Sequence, residues 1–314
     1  MSMVTSLFQK PWIWSFVAMF GAWLATIIFT GGQGSGDLAQ AALTFAAFSA
    51  IVGIGQMFVI TLGPGNIDLS IPATMTLSGT VALKFMDRTD LLVVPGFLIA
   101  VAVGLVIGAF NYGLIKLLRI PPIIATLSSS FIIQSAAIWT NRGLRIKPPS
   151  FLADFTTSSV LGIPNMAIVA IVLAVGAWFV LERSIFGRWI SSIGQNIRAA
   201  RLIGIPVDGV RFATYVLCAV LAAVCGYFLA SFSGGAALNM GTEYLLTSIA
   251  VVVIGGTSVA GGYSNVPGIW GASLFMFLVV SMLNTYGAGA GVRLILTGLI
   301  IIGVIIAASG KKQA

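Results

Sequence analysis

Residues 63–72 read GPGNIDLSIP, between apolar runs at 42–62 and 71–83. Gly63, Pro64 and Gly65 suit the end of a helix, and Asp68 or Ser70 suits the start of the next. Pro72 then falls in a first helical turn, where its missing N–H costs little. If the flanking runs cross a bilayer, the break lies at membrane depth. Irregular backbone is tolerated there only against protein or along a water-filled path. The stretch is thus expected to line such a path.

The remaining sequence supports the membrane reading. Of 314 residues, 58% are hydrophobic and 8% charged, and the mean hydropathy is +1.07. So few charges cannot cover a water-exposed surface. The apolar runs are continuous, as at 167–181 and 294–308, whereas a membrane barrel alternates apolar and polar residues. The fold class is therefore an all-α integral membrane protein. At about 20 residues per span, about ten transmembrane helices are expected, near 12–29, 42–62, 69–84, 93–117, 123–140, 166–181, 213–232, 245–260, 266–286 and 292–309. Residues 1–314 read as a single transmembrane domain with no soluble unit, and 12–30 as a retained first helix rather than a cleaved leader.

The net charge of +8 does not point to nucleic acid, because the basic residues lie between apolar runs. An inward N-terminus places Lys10, Lys116, Arg119, Arg183, Arg188, Arg198, Arg201, Arg211, Lys311 and Lys312 inside, ten in all. Six remain outside: Lys84, Arg88, Arg142, Arg145, Lys147 and Arg293. The bias favours both termini in the cytoplasm. Residues 141–165 then form a proline-punctuated outer loop, and 182–212 an inner loop with five arginines. Histidine is absent, and Cys218 and Cys225 lie seven apart on one helical face, too far apart for a disulfide. Gly104 and Gly108 have the spacing that permits close helix packing, within the subunit or between subunits.

No phosphate-binding loop of the G-x-x-x-x-G-K-[ST] type and no catalytic constellation occurs, so the chain is not read as an enzyme. Transport is the natural class. Within SSIGQNIRAARLIGIPVDGVR (191–211), Gly194 and Asn196 suit a helix start and Gly204 with Pro206 a stop. The short basic helix between them suits either docking into another protein or lying on the membrane surface.

Here the sequence resembles a family. GQNIRAARLIGI is similar to the coupling loop of ribose-type permease subunits of bacterial ATP-binding cassette sugar importers, G-x-N-x-x-A-A-x-x-x-G-I. The match falls on Gly194, Asn196, Ala199, Ala200, Gly204 and Ile205. IAVVVIGGTSVAGGYSNVPGIWGA (249–272) resembles the I-G-G-T-S-x-x-G-G signature, NIDLSIPATMTLSG resembles G-I-D-L-S-V-G-S, and PPIIATLSSSFIIQSA resembles P-x-x-I-A-T-L. The chain departs at Asn66 and at Ile71-Pro72-Ala73, so substrate preference is expected to differ there.

The resemblance implies ten helices with an inverted internal relation, similar to the cobalamin-importer permease. It implies a second permease copy or paralogue, surrounding lipid, and a periplasmic solute-binding protein in a bacterial inner membrane. It also implies separate ATP-binding cassette subunits that hold ATP and Mg, leaving no cofactor in this chain. Gly194, Asn196, Arg198, Ala200, Arg201 and Gly204 would couple to the ATPase.

An inverted relation pairs the 63–70 break with the 233–243 connection, each carrying glycines, an asparagine and an acid. Paired interruptions point to a translocation path, and Asn66, Asp68, Ser70, Asn239 and Glu243 are its candidate lining. Asp68 either caps a helix N-terminus or bonds hydroxyls of a passing solute. Arg293 and Glu243 either pair or snorkel to the interface. The expected solute is a monosaccharide or related polyol. The rivals are a branched-chain amino-acid-type permease, an ion-coupled secondary transporter and a non-transporting scaffold. A docking helix argues against the secondary transporter, and pore-facing polar breaks argue against the scaffold.

Overall fold

A computed structural model of the chain describes residues 11–29, 35–141, 147–285 and, beyond these, 289, 291–292, 295–296, 298–299 and 302–303. Apolar runs without internal breakers form the long helices. These are α1 (Pro11–Phe29), α2 (Ser35–Thr61), α4 (Val93–Leu117), α5 (Pro122–Thr140), α7 (Asn165–Arg183), α10 (Val207–Phe232) and α12 (Val266–Thr285). Two shorter helices follow the glycine-rich breaks: α3 (Ile71–Met86) after the first and α11 (Tyr244–Ile254) after the second. Residues 150–165 hold the short α6 (Ser150–Thr157) and a two-stranded hairpin of β1 (Ser159–Val160) and β2 (Ile163–Pro164). The 182–212 segment carries α8 (Ile185–Gln195) and α9 (Ile197–Leu202).

Among the described residues six helices are long and apolar enough to cross a membrane: α2, α4, α5, α7, α10 and α12. This is a multi-pass membrane protein. Nine of the ten expected spans appear as helices among the described residues. Most of the tenth, 292–309, lies outside them, as do Arg293 and both chain ends.

Two helices form the centre. The apolar window of α2 is 78% buried and that of α10 67%, against 28% in α4 and in α5. The two cross antiparallel: Gly55 abuts Cys218, and the Cys225 thiol donates to the Phe48 carbonyl (3.5 Å), so the contacts run in opposite directions. Around this pair the partners are exchanged: α10 packs on α3 and α4, and α2 packs on α11 and α12. The spacing at Gly104 and Gly108 works inside the subunit, since a Cβ at either would press on the backbone of α10 at Ala219–Val220 and Tyr215–Val216. The outer faces of α4, α5 and α7 stay apolar and exposed, with Val106, Phe131 and Phe179 among them, as surfaces turned to lipid require.

Several elements differ from the sequence expectation, among them α10, which starts at Val207 rather than near 213. α2 starts earlier, at Ser35, with Asp37 in its first turn where an acid favours the positive helix end. α11 stops at Ile254 rather than near 260 because Gly256 adopts a left-handed φ of 87°. There the Gly256 and Thr257 amides close onto Val253 and Val252. α8, a strongly amphipathic helix, was not expected at all, because its polar face kept it out of the apolar runs.

Candidate functional site

The 62–70 segment turns back along the helix it leaves. Gly63, at φ 112°, donates to Ile60 O (3.1 Å) and ends α2. The chain then runs beside α2 until Asp68 N–H reaches Gln56 Oε1 at 3.1 Å. Gln56 lies five residues before Thr61, so the segment has re-entered by about 7 Å at 1.5 Å per residue. Here α3 begins, with Ser70 as its N-cap residue and Pro72 in its first turn.

Polar side chains satisfy this irregular backbone. Leu69 N–H donates to Thr126 Oγ1 (3.0 Å) on α5. Asp68 Oδ1 accepts from Ser70 N–H (2.8 Å) and Ser70 Oγ–H (2.6 Å). Asn111 Nδ2 of α4 donates to Ser70 Oγ (2.8 Å), and Ser129 Oγ of α5 donates to Asn111 Oδ1 (2.5 Å). Asp68 therefore braces the turn before α3, and the helix N-terminus carries no side-chain cap. Asp68 and Ser70 are 1% and 0% exposed, sealed in this conformation. Asp68 Oδ2 and Gln56 Nε2 have no hydrogen-bond partner among the described residues.

Asn66 is half-buried and engaged elsewhere. Its Oδ1 accepts from Arg211 Nη2 (3.1 Å) and Tyr215 Oη (3.2 Å), and its Nδ2 donates to Gly63 O (3.1 Å). Sequence reasoning missed Gln56, Asn111, Thr126, Ser129 and Tyr215 as members of this network. The available clue was polarity inside apolar helices, with Asn111 within VIGAFNYGLI the clearest case.

The 233–243 connection enters from the opposite end. The Gly234 and Gly235 amides close α10 onto Ser231 and Ala230. Backbone turns follow, from Met240 N–H to Ala237 O and from Thr242 N–H to Asn239 O. Side chains of α5 and of the residue that caps its end hold the carbonyls of this connection: Gln134 Nε2 on Leu238 O (2.8 Å) and Asn141 Nδ2 on Ala236 O (3.4 Å). Asn239 and Glu243 are exposed. The two breaks meet where Gly241 lies against Pro72 so closely that a Cβ would overlap the Pro72 carbonyl. Asp68 and Ser70 thus belong to one cluster, Asn66 to a second, and Asn239 and Glu243 to a third.

The 182–212 segment gathers at the end where α2 finishes. Gly194 is not a helix start. It sits in the last turn of α8, where a Cβ would overlap Thr61 O and Gly262 N. Gly262 N–H donates to Thr61 O (2.9 Å), and Gly261 presses on Gly63, so three glycine-bearing turns stack backbone to backbone. Asn196 caps α9: its Oδ1 accepts from the Arg198 and Ala199 amides (3.0 and 3.1 Å). Ala200 is buried at 2% exposure, whereas Arg198 and Arg201 are exposed. Gly204, at φ 83°, closes the helix through Gly204 N–H to Arg201 O and Ile205 N–H to Ala200 O. Leu202 and Ile203 at its tip are 88% and 74% exposed. Beside α8, two adjoining hollows of about 320 and 370 Å³ share Leu181, Glu182, Tyr263 and Ser264.

Residues 38–307 match the family described as the permease component of branched-chain amino acid transport systems. The chain belongs to this permease family. A protein of Sinorhizobium fredii named "Probable ABC transporter permease protein y4mJ" is 31% identical to it, over 95% of this chain and 90% of that one. The ribose import permease protein RbsC of Escherichia coli K12 is 28% identical, over 84% and 83%. The autoinducer 2 import system permease protein LsrC of Enterobacter sp. 638 is 30% identical, over 88% and 83%. No solved structure matches the permease. Its glycine-rich 254–262 stretch, noted first as a sequence pattern, forms the backbone stack at Gly63 and Gly194.

Proposed function

We propose that the permease is the transmembrane subunit of an ATP-driven importer of a monosaccharide or related polyol-like solute. The observation that carries this is α9: a capped, solvent-exposed helix that presents Arg198, Arg201, Leu202 and Ile203 to the outside. Such a helix suits docking into a groove of a cytoplasmic ATP-binding cassette subunit, through Arg198, Arg201 and the turn at Gly204. That subunit would hold ATP and Mg and perform the hydrolysis. The relatives named for ribose and for autoinducer 2 support a sugar-like solute over a branched-chain amino acid.

In this reading the α8–α9 end faces the cytoplasm of a bacterium, as do both termini, and a periplasmic binding protein delivers solute at the opposite end. A second permease copy or paralogue completes the pore within the inner membrane. The full complement is ten spans in one domain with an inverted internal relation, similar to the cobalamin-importer permease. The antiparallel α2 and α10, their exchanged partners and the two breaks entering from opposite ends support that relation. Among the pore candidates, Asn239 and Glu243 are open to a solute in this conformation. Asn66 is half-buried and held by Arg211 and Tyr215, whereas Asp68 and Ser70 would be reached only by rearrangement.

The test is uptake into proteoliposomes holding the permease and its ATPase, with ATP inside and a solute-loaded binding protein outside. Solute-stimulated hydrolysis and uptake are expected. Uptake by the permease alone on an ion gradient would overturn the reading. Gly204→Arg forces a side chain into left-handed backbone, at about 1 kcal/mol or more, and is expected to abolish coupled uptake while the protein still inserts.

A further inference from the structure

We infer that Arg211 and Tyr215 are positioning residues that tie the exposed helix α9 to the re-entrant segment through Asn66. α10 starts at Val207, three residues after Gly204, so its first turns move with α9. Asp208, Arg211 and Tyr215 stand at helical spacings of three and four, on one face of α10. Arg211 and Tyr215 converge on a single acceptor, Asn66 Oδ1, at 3.1 and 3.2 Å. The other end of the group is anchored to α4. Asp208 pairs with Lys116 and accepts from Tyr112 Oη (3.2 Å), and the Arg211 guanidinium lies over the Tyr112 ring at 5.9 Å. A displacement of α9 is thereby passed to α10, and from its side chains to the segment that leads to Asp68 and Ser70.

A rival route exists. The last turn of α8, just before α9, touches Gly63 directly through Gly194. The two routes are separable because only one needs side-chain donors. The functional meaning of the link rests on reading α9 as the docking helix, but its test needs no partner subunit.

The permease alone, reconstituted in lipid nanodiscs, is followed by hydrogen exchange at Asp68, Leu69 and Ser70. Each of these amides is bonded to a side chain and reports opening of the segment. Asn196→Ala removes the cap of α9 and is expected to raise their exchange about threefold or more. Arg211→Gln is expected to abolish that response. Tyr215→Phe, which keeps the ring, should reduce it by about half, and Asn66→Asp, which keeps an acceptor, should preserve it. A response of full size in both Arg211→Gln and Tyr215→Phe would assign the transmission to the Gly194–Gly63 contact and overturn the inference. No response in the parent protein would overturn it equally. Failure of the importer reading would appear in uptake, and leaves these exchange rates unaffected.

Discussion

The two breaks in the helical frame solve one problem in opposite ways. At 62–70 the polar side chains lie within the segment or close on it, and the result is sealed: Asp68, Ser70, Asn111, Thr126 and Ser129 are all buried. At 233–243 the segment holds itself by backbone turns, borrows donors from α5 and leaves Asn239 and Glu243 in the open. The first break is built to keep its shape, and the second to expose polar groups with little energetic stake in them. A pair of interruptions can thus differ in kind, one sealed by side chains and one open.

Substitutions can break or sharpen that contrast. Asp68→Ala leaves the Ser70 amide and hydroxyl without their acceptor, and is expected to cost about 2–4 kcal/mol, since each buried unsatisfied group costs about 1–3. Thermal unfolding in detergent or urea titration checks it, and Asp68→Asn, which keeps an acceptor, should lose less than half as much. A loss no larger than that of a surface change would remove the contrast. Gly241→Val pushes a side chain into Pro72, where the two breaks touch, at about 1–3 kcal/mol of overpacking. The folded yield after size-exclusion chromatography should drop accordingly.

Gln134→Leu removes the donor to Leu238 O, and is expected to cost about 1 kcal/mol. It should also raise proteolytic cleavage within 233–243 before any other segment. At the small end, Glu243→Gln and Asn239→Ala should change stability by less than about 0.5 kcal/mol, as exposed positions do. Their effect is expected in the solute concentration needed for half-maximal uptake. A large loss of stability at either would put the second break in the same class as the first.

How much of this was legible depended on which force shaped each part. Membrane insertion is driven by summed hydropathy over about twenty residues, so the spans could be read within a few residues at α4 and α5. The breaks at 63–70 and 233–243 were equally plain, because glycine and proline act locally. The cap at Asn196 and the stop at Gly204 were read correctly for the same reason. What lay beyond reach depended on depth. Asp68 looked like a cap because it precedes a helix, yet the chain folds back first and carries it level with Gln56. Asn66 looked open to a path, but Arg211 stands 145 residues away and reaches it only after α10 packs beside the segment. Gly194 suits a helix start by local rules, and no local rule reveals that three turns will stack on one another.

The length of α11 makes the two halves of the permease depend on each other. Its 11 residues rise about 16 Å, roughly half the hydrocarbon thickness of a bilayer. Alone, such a helix would leave one of its ends in lipid with unpaired backbone groups, which carry a cost of several kcal/mol each. It is tolerated because α2 lies beside it and Pro72 meets the segment that precedes it. Both belong to the amino-terminal half of the chain. The amino-terminal half therefore supplies the cover that lets so short an apolar helix stand in the carboxy-terminal half, and neither half is self-sufficient.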